Sequence, residues 1–235
     1  MIKSKKVALV YRLVSLTIAT AGFLAMMGAF GGGWNLGALM FYTLQSNVLI
    51  IVMFAMLTVR TLIGLREDKS TGVSSTDGTG YFARFEMVCC INIMLTFLVY
   101  WVLLAPTLFN MVDEFPMWTF ANLAVHGFTP MLCLIDYILF TQRGHLKYRD
   151  VYYVCIFPFA YLFGTSIAGL LGYVFFISAD DGLPIRFPYF FYDFDRIGLL
   201  SLVYISALFI FILMISHVFY IIDRKKAVLK DNRLS

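Results

Sequence analysis

Residues 38–57 read ALMFYTLQSNVLIIVMFAML, twenty positions without one Asp, Glu, Lys, Arg or His. A hydrocarbon core about 30 Å thick is crossed by about 20 residues at 1.5 Å rise, so this stretch has the length of a membrane span. Lipid offers no hydrogen bonds, so a spanning backbone must satisfy itself as a helix or as part of a closed barrel. The run lacks the apolar–polar alternation of a barrel strand and reads as a helix. Five further stretches share its character, at 7–30, 85–104, 118–140, 151–177 and 197–222. The expected fold is all-α: a single domain over 1–235 made of six transmembrane helices.

The chain is 61% hydrophobic and 14% charged over 235 residues, with a mean hydropathy of +0.84. Those values lie outside the range of soluble domains, and six spans leave no room for one. The net charge of +4 is explained by its distribution, which argues against a nucleic-acid partner. Lys3, Lys5 and Lys6 precede the first span; Arg60, Arg66, Lys69 and Arg84 flank the connection between the second and third. Arg143, Lys147 and Arg149 lie between the fourth and fifth, and Arg224, Lys225, Lys226, Lys230 and Arg233 end the chain. The alternate loops hold Arg186 and Arg196 among the acids Asp113, Glu114, Asp180, Asp181, Asp193 and Asp195. By the positive-inside rule both termini are expected in the cytoplasm of a multi-pass cell-membrane protein. The first span is too long for the apolar region of a signal peptide and is read as retained.

The segment 66–80, REDKSTGVSSTDGTG, is expected to be a flexible cytoplasmic loop. Small residues four apart, Ala21, Ala25 and Ala29 in the first span and Gly164, Ala168 and Gly172 in the fifth, are expected to face into the bundle. Cys89, Cys90, Cys133 and Cys155 all lie in spans; they read as core residues, with no disulfide framework and no metal site. The stretch RFPYFFYDFD at 186–195 has two readings, an aromatic belt at the interface or a lid over a cavity.

Polar side chains at membrane depth need a partner or a purpose. Thr43, Gln45, Ser46 and Asn47 cluster in the second span; Asn122, His126, Thr129, Pro130 and Asp136 lie in the fourth, and Arg12 in the first. Thr43 and His126 fall at similar depths, roughly 8 and 12 Å below one boundary. Asn47 and Asn122 are each one turn away, on the same helix faces. Pro130 has no N–H, so the carbonyl of His126 loses its helical partner and a kink is expected. These groups are either interhelical hydrogen-bond glue or the lining of a polar cavity. Arg12 and Asp136 match in depth at the opposite side and are expected to form a buried, structural ion pair. Glu86 and His217, near cytoplasmic ends, are expected to snorkel.

The segments FYTLQSN at 41–47, NLAVHGFTP at 122–130 with Asp136 and Tyr137, FPFAY at 157–161 and FPY at 187–189 resemble the signatures of a family of six-span bacterial integral membrane proteins. That family is similar to the androgen-inducible multipass threonine hydrolases, which cleave fatty-acid esters of hydroxy fatty acids. The resemblance implies a Thr43 nucleophile and a His126 base acting on a lipid ester without a cofactor. A histidine can take the proton of a threonine hydroxyl, and Asn47 or Asn122 could donate to the oxyanion. Two other readings stand beside it: a non-catalytic protein that binds membrane lipid or a partner, and a small transporter. Against the transporter, the sequence has no internal repeat and few charges along any one face. Oligomeric state cannot be read from the sequence.

Overall fold

The computed structural model describes residues 2, 4–31, 33–71, 82–107, 117–178 and 181–231, with backbone alone beyond 225. Among the described residues six helices are long and apolar enough to cross a membrane: α1 (Lys5–Met26), α2 (Tyr42–Thr71), α3 (Ala83–Thr107), α4 (Phe120–Leu139), α5 (Tyr148–Leu170) and α6 (Leu200–Lys225). A multi-pass membrane bundle is the architecture. Lys3, Asp113, Glu114 and Asp180 of the charge pattern lie outside the described residues, as do the side chains of Lys226, Lys230 and Arg233.

Helix α3 is central. Met87, Cys89, Cys90, Ile91 and Ile93 are all buried, more than one face of a helix can supply, so α3 is surrounded. It packs on α2, α4, α6 and the first turns of α5. Helix α1 lies across α2 and α4, burying Ala8, Arg12, Ser15, Ala19 and Gly22 at alternating spacings of four and three. That periodicity is one helix face. A Cβ on Gly22 would stand 2.3 Å from the Ala124 Cβ, so only glycine permits this approach of α1 to α4.

Four expectations are corrected. The segment expected to be a loop from residue 66 continues α2 as helix through Thr71; residues 72–80 lie outside the described residues. It continues because the polar stretch up to Thr71 contains no Gly or Pro, and Lys5 of α1 grips it at Asp68 (2.8 Å). The fifth span ends at Leu170 rather than 177, because Gly172 takes a left-handed conformation (φ 92°) that closes the helix end. Residues Phe176–Ile177 then pair antiparallel with Pro184–Ile185. The small-residue stripes are also displaced: Ala29, Gly164 and Gly172 are exposed. The buried line of α5 is Pro158, Tyr161, Thr165 and Gly169. Glu86 does not snorkel. It is buried and accepts a 2.5 Å hydrogen bond from the Thr141 hydroxyl.

Arg12 ties three helices. Its Nε and Nη2 donate to the two carboxylate oxygens of Asp136 at 3.0 and 3.4 Å, and Nη1 donates to Thr61 Oγ1 at 2.6 Å. Arg12 is wholly buried and Asp136 nearly so. A guanidinium fork facing a carboxylate gives two parallel charge-assisted bonds, the geometry that best offsets desolvation. Removing one partner strands a buried charge. Arg12→Gln or Asp136→Asn alone is expected to cost about 3–5 kcal/mol, and the double change less than the sum of the two. Unfolding of purified protein in detergent measures it; strictly additive effects would contradict the pairing.

Candidate functional site

Two prolines shape the Thr43 end of the bundle in the same way. Pro106 in α3 and Pro130 in α4 each follow a π turn, Tyr100–Leu104 and Ala124–Phe128. The residue before each proline donates its N–H five positions back, Ala105 to the Tyr100 carbonyl and Thr129 to the Ala124 carbonyl. A proline ring cannot donate and collides with the carbonyl four residues earlier. The helix accommodates it by widening one turn.

The kink expected at Pro130 is thus a π turn, and the carbonyl of His126 does not stay unpaired. Trp101, in the facing π turn of α3, donates its indole N–H to it at 3.0 Å. Next door, the Tyr100 ring stacks on the His126 imidazole with centroids 3.6 Å apart and planes 15° from parallel. The imidazole Nδ1 lies 3.1 Å from the Asn122 carbonyl. A carbonyl only accepts, so Nδ1 carries the proton and Nε2 is the basic nitrogen of the neutral ring. His126 is therefore held on three sides by α3 and its own helix.

The asparagines are equally committed. The Asn122 amide donates to the Tyr100 hydroxyl (2.5 Å) and the Met117 carbonyl (2.7 Å). The Asn47 amide donates to the Thr43 carbonyl (2.8 Å) and, across to α4, to the Val125 carbonyl (3.1 Å). Each NH₂ has two hydrogens, so neither asparagine has an N–H left for an oxyanion. The role expected of them is corrected: Asn47 is the strut between α2 and the π turn of α4, and Asn122 the prop of Tyr100.

Thr43 faces elsewhere. It lines a cavity of about 70 Å³ bounded by α2, α3, α5, α6 and the 186–196 loop, with room for several waters or a short run of methylenes. The α5 wall is Pro158, Tyr161 and Leu162; the α6 wall is Ile205, Leu208, Phe209 and Ile212. Each set repeats at three and four residues, one face of each helix. His126 does not line this cavity. Among the described residues no hydrogen bond joins it to Thr43.

The loop covers the cavity as the lid reading expects, with Tyr189, Phe191 and Tyr192 turned inward. The Tyr189 hydroxyl accepts the Tyr42 N–H at 3.1 Å and lies beside Thr43 and Tyr161. The Tyr192 hydroxyl donates to the Leu162 carbonyl at 2.7 Å and bonds Ser166. Outside, Arg186 clasps Asp195 (2.8 Å) and Arg196 reaches Asp181 (3.0 Å) and Asp193 (3.6 Å). The Asp181 carboxyl is held below its ordinary range, first by the Leu183 N–H, then by Ser178 and Arg196. These tyrosines were not legible as cavity residues from sequence, since an aromatic loop equally suits an interfacial belt. The signal that could have revealed the paired π turns is the proline in each of two adjacent spans.

No family model matches the chain, and no curated protein or solved structure matches it.

Trp101 should matter to stability as the donor to the His126 carbonyl. Trp101→Phe should destabilise the protein by about 1–3 kcal/mol, the cost of a buried acceptor left unpaired. Pro130→Ala supplies an N–H for that carbonyl, so Trp101→Phe should cost less in its presence. An equal cost in both backgrounds, measured by unfolding in detergent, would contradict the assignment.

Proposed function

We propose that this membrane protein binds a lipid chain in the cavity beneath the 186–196 loop, and that Thr43 is the polar contact rather than a nucleophile. The observation that carries the reading is the separation of the presumed pair: Thr43 lines the cavity, while His126 is stacked on Tyr100 and anchored at both Nδ1 and its carbonyl. A base must come within about 2.6–3.2 Å of the proton it takes. The cavity walls favour an acyl or other hydrocarbon chain, since they are aliphatic and aromatic side chains with a few hydroxyls.

Ester hydrolysis is the second reading, the one suggested by the resemblance to the threonine hydrolases. It is favoured by Asn47, which reaches the Thr43 and Val125 carbonyls with one amide and so brings the two helices together at this level. It requires the imidazole to leave Tyr100. Both readings are tested together by measuring fatty-acyl ester turnover and binding of a fluorescent fatty acyl probe to purified protein. Binding that is lost in Leu208→Trp, without turnover, supports the first reading. Turnover that is lost in both Thr43→Ala and His126→Ala overturns it in favour of the hydrolase.

The orientation that goes with this reading places both termini in the cytoplasm of a cell-membrane protein. Lys5, Arg66, Lys69, Arg84, Arg143 and Lys147 gather at one end of the bundle, where Lys5 pairs with Asp68 and Arg84 with Asp150; among the described residues the loop at the other end holds Arg186 and Arg196, each paired with carboxylates. With the cavity then on the outer side, cysteine introduced at Leu183 should react with an impermeant thiol reagent on intact cells, and cysteine at Ser70 should not. The reverse pattern would overturn the orientation.

A further inference from the structure

We infer that the ligand of this cavity is electrically neutral at its polar end: an amphiphile carrying one hydroxyl or carbonyl group, such as a long-chain alcohol or an ester, whose head and first methylenes occupy the cavity. The inference rests on the lipid-binding reading above and narrows it to a chemical class.

Six residues lining the cavity carry hydroxyls: Tyr42, Thr43, Thr96, Tyr161, Tyr189 and Tyr192. Tyr42 donates to the Asn92 side-chain oxygen at 2.5 Å, Tyr161 to the Met40 carbonyl at 3.1 Å, and Tyr192 to the Leu162 carbonyl at 2.7 Å. Thr96 is paired with Ser46 at 2.8 Å and bonds the Asn92 carbonyl at 3.4 Å. The Thr43 and Tyr189 hydroxyls remain, and Tyr189 neighbours both Thr43 and Tyr161. Once Tyr189 bonds one of these neighbours, the two hydroxyls have at most one hydrogen left to donate and lone pairs left to accept. That matches one alcohol or one carbonyl. It does not match the three or four acceptor sites of a phosphate or a carboxylate.

Charge points the same way. Among the described residues that line the cavity none is charged, and the arginines of the covering loop are taken up by Asp195, Asp181 and Asp193. An ion buried here without a counter-charge would keep its full desolvation penalty, whereas a neutral group loses only what one hydrogen bond restores. Four tyrosines line the cavity, and a quaternary ammonium group is the one charged head that an aromatic ring attracts. It is included in the test for that reason.

The test uses full-length protein in lipid nanodiscs and four photoactivatable C16 diazirine probes that differ only in the head: hydroxyl, methyl ester, sulfate and trimethylammonium. Labelled residues are identified by mass spectrometry. The hydroxyl and ester probes should label the α5 and α6 walls at least about tenfold more than the sulfate or the trimethylammonium probe. Thr43→Val combined with Tyr189→Phe should abolish the advantage of the hydroxyl head over a headless alkane probe. Leu208→Trp, which fills the cavity, should remove wall labelling by every probe. Equal or stronger wall labelling by either charged probe would overturn the neutral-ligand inference and leave lipid binding standing. Wall labelling by none of the probes, or labelling that survives Leu208→Trp in a protein that folds normally, would overturn lipid binding itself.

Discussion

A guanidinium cannot be left unpaired in a hydrocarbon setting, and the packing of the first, second and fourth helices follows from where Arg12 finds its partners. Asp136 takes two of its N–H groups and Thr61 a third. Those bonds fix α1 against α4 in both rotation and height. With that register set, Gly22 arrives opposite Ala124, the first residue of the π turn that carries His126. Tyr11 adds a bond to the Leu132 carbonyl along the same seam. Replacing such a pair with well-packed apolar residues can be neutral in other proteins; here it would also free the register of the helix that carries the site.

The second constraint is the obligation of every backbone carbonyl to find a donor. Proline breaks the helical ladder at Pro106 and Pro130, and the two resulting π turns face one another. One consequence is that Trp101 reaches across to the His126 carbonyl. Another is that Tyr100 lies flat on the imidazole. The histidine is thereby part of the frame, and the open space lies on the far side of α3, where Thr43 meets the loop. The chemistry available there is that of hydroxyls against hydrocarbon, suited to holding a neutral lipid.

How far this could be read from residues alone differs by feature. The spans were legible because an apolar run near twenty residues with at most one or two charges has few alternatives. The meeting of Arg12 with Asp136 was legible because depth follows from helical rise and buried charges must pair. Helix ends were less so: residues 66–71 look like a linker until Lys5 is seen to hold Asp68, and 171–177 look apolar enough to span until Gly172 turns the chain. Thr43 and His126 share a depth, but depth leaves rotation about the helix axis open, and a π turn adds its own rotation. The asparagines one turn from each were legible as polar partners, yet which acceptors take their hydrogens depends on contacts between helices far apart in sequence.

The central claim is that the cavity beside Thr43 holds a neutral lipid. Native mass spectrometry of protein extracted gently from its membrane tests it most directly. Wild-type protein should retain one bound, uncharged lipid, and Leu208→Trp protein of equal thermal stability should retain none. An anionic phospholipid or fatty acid in that role, or identical retention by the two proteins, would contradict the account.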